Sequence, residues 1–165
     1  MMHTRILNVV TVMLLVQVGT AWRVKAQERQ NLKGLSGIAV HADAVGNATA
    51  SVTQIESVLK QKLQDAGIAI VAAQVPRPYG THGNLWANLT VLPSATGANS
   101  YFVQTRLRMY GSVTLAGSND RAEAITWETE RVTIVPATDV DARFREDLNF
   151  LIDDFSTAYR SANPR

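Results

Sequence analysis

Tyr101-Phe102-Val103-Gln104-Thr105-Arg106-Leu107-Arg108-Met109-Tyr110-Gly111-Ser112-Val113-Thr114-Leu115-Ala116 is the stretch whose reading decides the fold. Val103, Leu107, Met109, Val113 and Leu115 hold odd positions, whereas Gln104, Arg106, Arg108, Ser112 and Thr114 hold even ones. Successive side chains of a strand point to opposite sides, so this alternation describes a long strand in a sheet with one covered and one wetter face. Ala124 to Val135 reads as a second such segment, and a turn centred on Ser118 joins the two as a hairpin. That turn sets Arg108 opposite Glu128, Arg106 opposite Glu130, Met109 opposite Trp127 and Ile125 opposite Gly111, so the charges neutralise across the ladder. Continued unbroken, the alternation places Arg131 among the apolar residues, while Val132 and Ile134 want that side. The expectation is therefore a β-bulge near Glu130 or Arg131, which shifts the phase by one residue.

Moving towards the amino terminus, Asn84 to Leu92 reads as another strand, in which Trp86, like Trp127 in the hairpin, is taken as core packing. Gln74 to Gly83 carries two prolines and two glycines, which forbid regular structure. Ser51-Val52-Thr53-Gln54 has the spacing of a capping box, and Val52, Ile55, Leu59, Leu63 and Ala66 recur at steps of three and four behind it. Gly67 supplies a left-handed end cap for that helix. Ile68 to Ala72 reads as a short strand, Leu35 to Ala42 as an opening strand with Ile38, Val40 and Ala42 on one side, and Asp43 to Ala50 as a loop. Towards the carboxyl terminus, a helix from about Asp139 to Ser161 carries the stripe Val140, Phe144, Leu148, Leu151, Phe155 and Tyr159, with Asp147, Asp153, Asp154 and Arg160 mostly off it. The order is β-α-β-β-β-β-α. The expected class is α+β, with two helices packed on one face of a largely antiparallel sheet.

Residues 1–26 read as an export signal, and residues 27–165 as a single α+β domain. Arg5 precedes an apolar run from Ile6 to Val16, and Val24-Lys25-Ala26 offers the small residues that a signal peptidase accepts before Gln27. Gly19-Thr20-Ala21 offers a second cleavage point. The run is interrupted by Asn8, Thr11 and Gln17 and falls short of the ~20 apolar residues of a comfortable span. Cleavage is the leading reading, and no stable membrane span is expected after it. An uncleaved anchor is the alternative, because Arg23, Lys25, Arg29 and Lys33 follow the run.

The formal net charge of +2 belongs to the leader, since Arg5, Arg23 and Lys25 are three of the 16 basic residues and none of the 14 acidic ones. What remains is slightly acidic, and no nucleic-acid partner is expected. The absence of cysteine excludes disulfides, thiolate catalysis, thiolate zinc sites and a lipid-bearing cysteine within this sequence. A bacterial periplasmic or secreted location fits this composition.

No nucleophile elbow, phosphate loop, zinc-binding helix or dinucleotide fingerprint occurs, so no catalytic residue, metal ligand or cofactor is assigned. His41 and Asp43 are two apart on a strand and share a side, a possible acid-base pair, or else simply solvent-facing groups. The row Gln104, Arg106, Arg108 and Tyr110 suits an anion or a sugar if the arginines are not used in internal pairing. The candidate binding residues are Arg77, Tyr79 and His82 in the proline-glycine loop, where prolines lower the ordering entropy and these side chains offer hydrogen bonding and stacking.

Leu35-x-Gly37-Ile38-x-Val40, Ala66-Gly67-Ile68, Thr126-Trp127 and the run from Phe155 to Asn163-Pro164 resemble a loose group of short exported bacterial proteins of unknown function, across most of residues 32–164. The layout also looks like small α+β envelope modules such as the amino-terminal domain of the translocation protein TolB. The function expected is a non-enzymatic envelope module that binds another protein or an envelope component through an exposed sheet edge or the 76–83 loop. A small secreted hydrolase using His41, Asp43 or His82, and a soluble carrier of a small ligand, are the alternatives. The sequence sets no oligomeric state.

Overall fold

The computed structural model describes residues 31–72, 81–95 and 99–164. A four-stranded sheet in the order β1-β2-β3-β4 is built from β1 (Gly37–Gly46), β2 (His82–Pro93), β3 (Ser100–Thr114) and β4 (Arg121–Pro136). Helix α1 (Val52–Asp65) crosses between β1 and β2, which are parallel, while the other two pairings are antiparallel. Parallel neighbours need such a crossover, whereas β3 and β4 are joined by a tight connection. A 3₁₀ turn (Ala137–Asp139) leads into α2 (Val140–Ala162). The α+β class stands as expected, in the order β-α-β-β-β-α.

One element is smaller than its sequence suggests. Ile68 to Ala72 meets β1 at a single parallel bridge, Ile38 with Ile70, through Ile38 N to Ala69 O at 2.9 Å and Val71 N to Ile38 O at 3.0 Å. At its start β1 has Gly37, and Val71 packs into the space a side chain there would fill, so the segment is a clasp on the edge of β1 and no fifth strand. Beyond Ala42, β1 runs on to Gly46, consuming part of the anticipated loop.

Local signals hold where they are self-contained. Ser51 Oγ accepts from Gln54 N while Ser51 N donates to Gln54 Oε1 at 2.9 Å, the reciprocal capping box. Gly67 takes φ +75°, with Gly67 N on Gln64 O and Ile68 N on Leu63 O, the paired bonds of a Schellman end. Ile55, Leu59 and Leu63 are buried, but Val52 at the first turn is exposed.

Both helices cover the same side of the sheet. Leu85, Leu89, Val103, Leu107, Met109 and Trp127 meet Phe144, Leu148, Leu151 and Phe155 in one core, and Trp127 sets its ring edge-on to Phe155 at 5.0 Å. Tyr159, at the end of the α2 stripe, donates its hydroxyl to Leu35 O at 2.7 Å, and Asn163 holds Leu32 O and Gly34 N. The lead-in to β1 is thereby strapped to the end of α2.

The hairpin register matches the sequence reading from the Ser100–Pro136 pair to the Met109–Trp127 pair, with Arg108 opposite Glu128 and Arg106 opposite Glu130. The bulge falls elsewhere than expected. It lies between Met109 and Tyr110 on β3, where Thr126 is the extra residue on β4, so Ile125 faces Tyr110 in place of Gly111. Thr126 turns inward, its hydroxyl donating to Met109 O at 3.3 Å, and Gly111 leaves the room it needs, since a β-carbon there would stand 3.1 Å from its methyl. From Trp127 to Val135 the alternation is unbroken. Arg131 does lie on the helix side, where Asp147 receives it, and Val132 and Ile134 lie on the other side, exposed.

Candidate binding surface on the open face of the sheet

The side of the sheet away from the helices has no covering element among the described residues, and its side chains line up in rows across all four strands. One row runs His41, Trp86, Arg108, Glu128; the next runs Asp43, Asn88, Arg106, Glu130. Register puts these residues side by side, and their chemistry closes each row. His41 stacks on Trp86 with centroids 4.5 Å apart and planes 15° from parallel, and its Nε2 is 3.3 Å from Asn84 Oδ1. Asn88 donates to Asp43 at 3.1 Å, Arg108 to Glu128 at 2.9 Å, and Arg106 and Gln104 to Glu130 at 2.7 and 2.8 Å. Asn84 also donates to Glu123 at 3.2 Å, extending the network to the start of β4.

The electrostatics follow from these partners. The hydrogen bond it donates to Glu128 holds the Arg108 guanidinium above its ordinary pKa, and the bond from Arg106, joined by Gln104, holds the Glu130 carboxyl below the usual carboxylate range. Both arginines are therefore engaged in internal pairing, and the face is an ordered array of amides, paired charges and flat rings. Asp43, Val45, Asn88, Thr90, Gln104 and Arg106 line a shallow depression of about 360 Å³ within it. His41 and Asp43 are each held by a different residue of β2, so neither is poised against the other as a proton-transfer pair.

Of the candidates chosen from sequence, Arg77 and Tyr79 lie outside the described residues. His82 opens β2, exposed, opposite Gly37. It is on the same face as His41 but four residues along the strand from Trp86, the cross-strand neighbour of His41, about 13 Å at the usual rise. The sequence reading missed Trp86, which stands half-exposed on the open face while Trp127 alone of the strand tryptophans is core. The signal was present in Asn84, Trp86, Asn88 and Thr90, which alternate with Leu85, Ala87, Leu89 and Val91.

On the other side, a groove of about 540 Å³ lies between α1 and α2 and opens to solvent past Gln54, Val58, Arg145 and Asn149. Neither histidine lines it. Among the described residues, no group of three or more His, Cys, Asp or Glu side chains is placed to hold a metal ion, and no helix is long and apolar enough to cross a membrane.

No protein-family model matches the chain, and no curated protein matches it. Solved structures do resemble it at low identity. A PelC dodecamer from Paraburkholderia phytofirmans is 12% identical over 73% of this chain and 87% of that one, with a TM-score of 0.46. A minor lipoprotein from Acinetobacter baumannii is 10% identical over 78% of this chain and 93% of that one, with a TM-score of 0.31. A putative lipoprotein from Caulobacter crescentus is 12% identical over 86% and 98% of the two chains, again with a TM-score of 0.31.

Proposed function

We propose that this protein is an exported, non-enzymatic module of the bacterial envelope that binds another protein or an envelope component through the uncovered side of its sheet. The observation that carries the reading is the open face itself: four strands whose side chains are ordered by cross-strand partners, beside a strand edge that no other strand pairs with among the described residues. A prebuilt array of this kind loses little entropy on binding, and a strand edge accepts another chain through backbone hydrogen bonds without signature residues. His82 opens β2 on the same face and is proposed as a contributor at its rim, and Arg77 and Tyr79, a few residues earlier in the sequence, are proposed as further binding residues. Export is proposed from the leader, with the mature chain beginning near Gln27 in the periplasm or the medium. Intact-mass measurement of the envelope fraction tests that point, and a leader still attached in membranes would favour the anchor.

Cross-linking in living cells followed by mass spectrometry tests the binding reading. A captured envelope partner, reduced by Tyr79→Ala, His82→Ala or Trp86→Ala, is the expected result. No partner, together with a hydrolytic activity lost on His41→Ala, would replace the reading with the hydrolase.

A further inference from the structure

The two edges of the sheet are treated differently. That of β1 is clasped by Ile70, and Asn31 Nδ2 donates to Thr126 O at 3.0 Å, closing the β4 edge at its bulge. From Trp127 to Pro136 no strand pairs with the outer edge of β4 among the described residues. Between Arg131 and the closing Pro136 it carries Val132-Thr133-Ile134-Val135, four β-prone residues with no charge, proline or bulge among them. Apolar groups are also exposed on both sides of it. Val132 and Ile134 are 51% and 52% exposed on the open face, and Phe150 of α2, with the Arg131 guanidinium 4.6 Å over its ring, is 54% exposed on the helix side.

We infer that residues 130–136 of β4 pair antiparallel with the same residues of a second copy of this chain, about a two-fold axis at Thr133. This deepens the reading of the sheet as a binding surface and rests on it. An isologous contact must be self-complementary, and the choice of register decides whether it is. Centred on Thr133, Val132 of one copy meets Ile134 of the other, Arg131 meets Val135, and Glu130 meets Pro136, with no like charges opposed. A centre at Arg131 opposes two arginines and sets Val132 against Glu130. A centre at Thr129 opposes Glu128 to Glu130, which is destabilising, and a centre at Val132 puts Ile134 against Glu130. A centre at Ile134 shortens the ladder to Val132–Pro136.

The helices fit the same arrangement. Because α2 lies over β3 and β4, its two-fold mate stands two strand spacings away, about 10 Å, which is the distance at which helices pack. Helix contact covering Phe150 then adds to the strand pairing towards the roughly 800 Å² per partner of a stable interface. The product is one continuous eight-stranded sheet.

The chain has no cysteine, so single-cysteine variants give an unambiguous test. Residues opposite one another in an antiparallel pair have Cα atoms about 4.5–5.5 Å apart, within disulfide range. Thr133→Cys is expected to oxidise to a covalent dimer, and Thr53→Cys, exposed on α1, to form no disulfide-linked dimer. Sedimentation of the wild type should show a concentration-dependent dimer, which Val132→Lys/Ile134→Lys weakens at least about tenfold while leaving in place the denaturation midpoint measured at a concentration where the wild type is monomeric. A wild type monomeric at its highest soluble concentration, or Thr53→Cys cross-linking as readily as Thr133→Cys, overturns the inference. A monomer that still captures an envelope partner would overturn it while leaving the binding reading intact.

Discussion

Arg131 Nε on β4 stands 3.1 Å from Oδ1 of Asp147 on α2, and that carboxylate is fully buried. Arg143 Nε approaches the same oxygen at 3.2 Å from one turn earlier in the helix. Both are ionic contacts without well-aligned hydrogen bonds, and both carboxylate oxygens lack a proper donor. Burial consequently outweighs the two arginines and raises the Asp147 pKa above its ordinary 3.8. Between that value and the raised one, the folded state holds a proton that the unfolded state has lost, so this residue makes stability fall as pH rises through that window. Asp147→Asn removes the effect. The wild type should therefore gain stability relative to Asp147→Asn as pH falls from neutral towards 3.8, measured by denaturant titrations at each pH. A pH-independent difference would refute it. Glu130 has the opposite sign: its stabilisation is present above its ordinary 4.5 and is lost as pH falls through its lowered value.

Removing the cation is the harsher change. Arg131→Ala leaves a buried carboxylate with Arg143 as its remaining ion-pair partner, and a cost of about 3 kcal/mol is expected at pH 7, the low end for breaking a buried pair. The double variant with Asp147→Asn should recover part of that loss. Additive losses would mean the two residues are not coupled.

The closing helix belongs to the core. Phe155 is fully buried against Trp127, and Phe155→Ala should cost roughly 3–5 kcal/mol in a denaturation experiment. An unchanged midpoint would mean that the α2 stripe is not packed on the sheet.

Gly46 ends β1 at φ +80°, and a β-carbon there would lie 2.0 Å from Val91 O, a backbone atom that cannot swing away. Gly46→Ala should cost more than the roughly 1–2 kcal/mol of a left-handed residue alone. Gly117 in the β3–β4 connection has the same sign of φ but open space around it, so Gly117→Ala should cost only the conformational part.

What the sequence made legible was what neighbours decide. The Ser51 capping box, the Gly67 cap and the pairing of Arg106 and Arg108 with Glu130 and Glu128 depend on short spacings or on one turn. The bulge was misplaced because alternation alone treats Arg131 as an intruder on the covered side. Its acceptor, Asp147, comes sixteen residues later on a helix where it was read as lying off the apolar stripe. Reading Trp86 as core follows residue type over the strand's own alternation, which groups it with Asn84, Asn88 and Thr90, and the register with His41 and Arg108 puts it on the open side. Ile68 to Ala72 looked like a strand by composition, but the β1 edge takes just two of its hydrogen bonds.

The central claim, that the uncovered side of the sheet is the contact surface, is tested most directly by photo-cross-linking in the native host from single positions. Probes replacing Trp86 and Tyr110 report the open face, and a probe replacing Ser57, exposed on α1, reports the helix side. The account predicts specific adducts from Trp86 and Tyr110 to a different envelope component, and none from Ser57. Adducts from Ser57 alone, or none from any of the three, would contradict it.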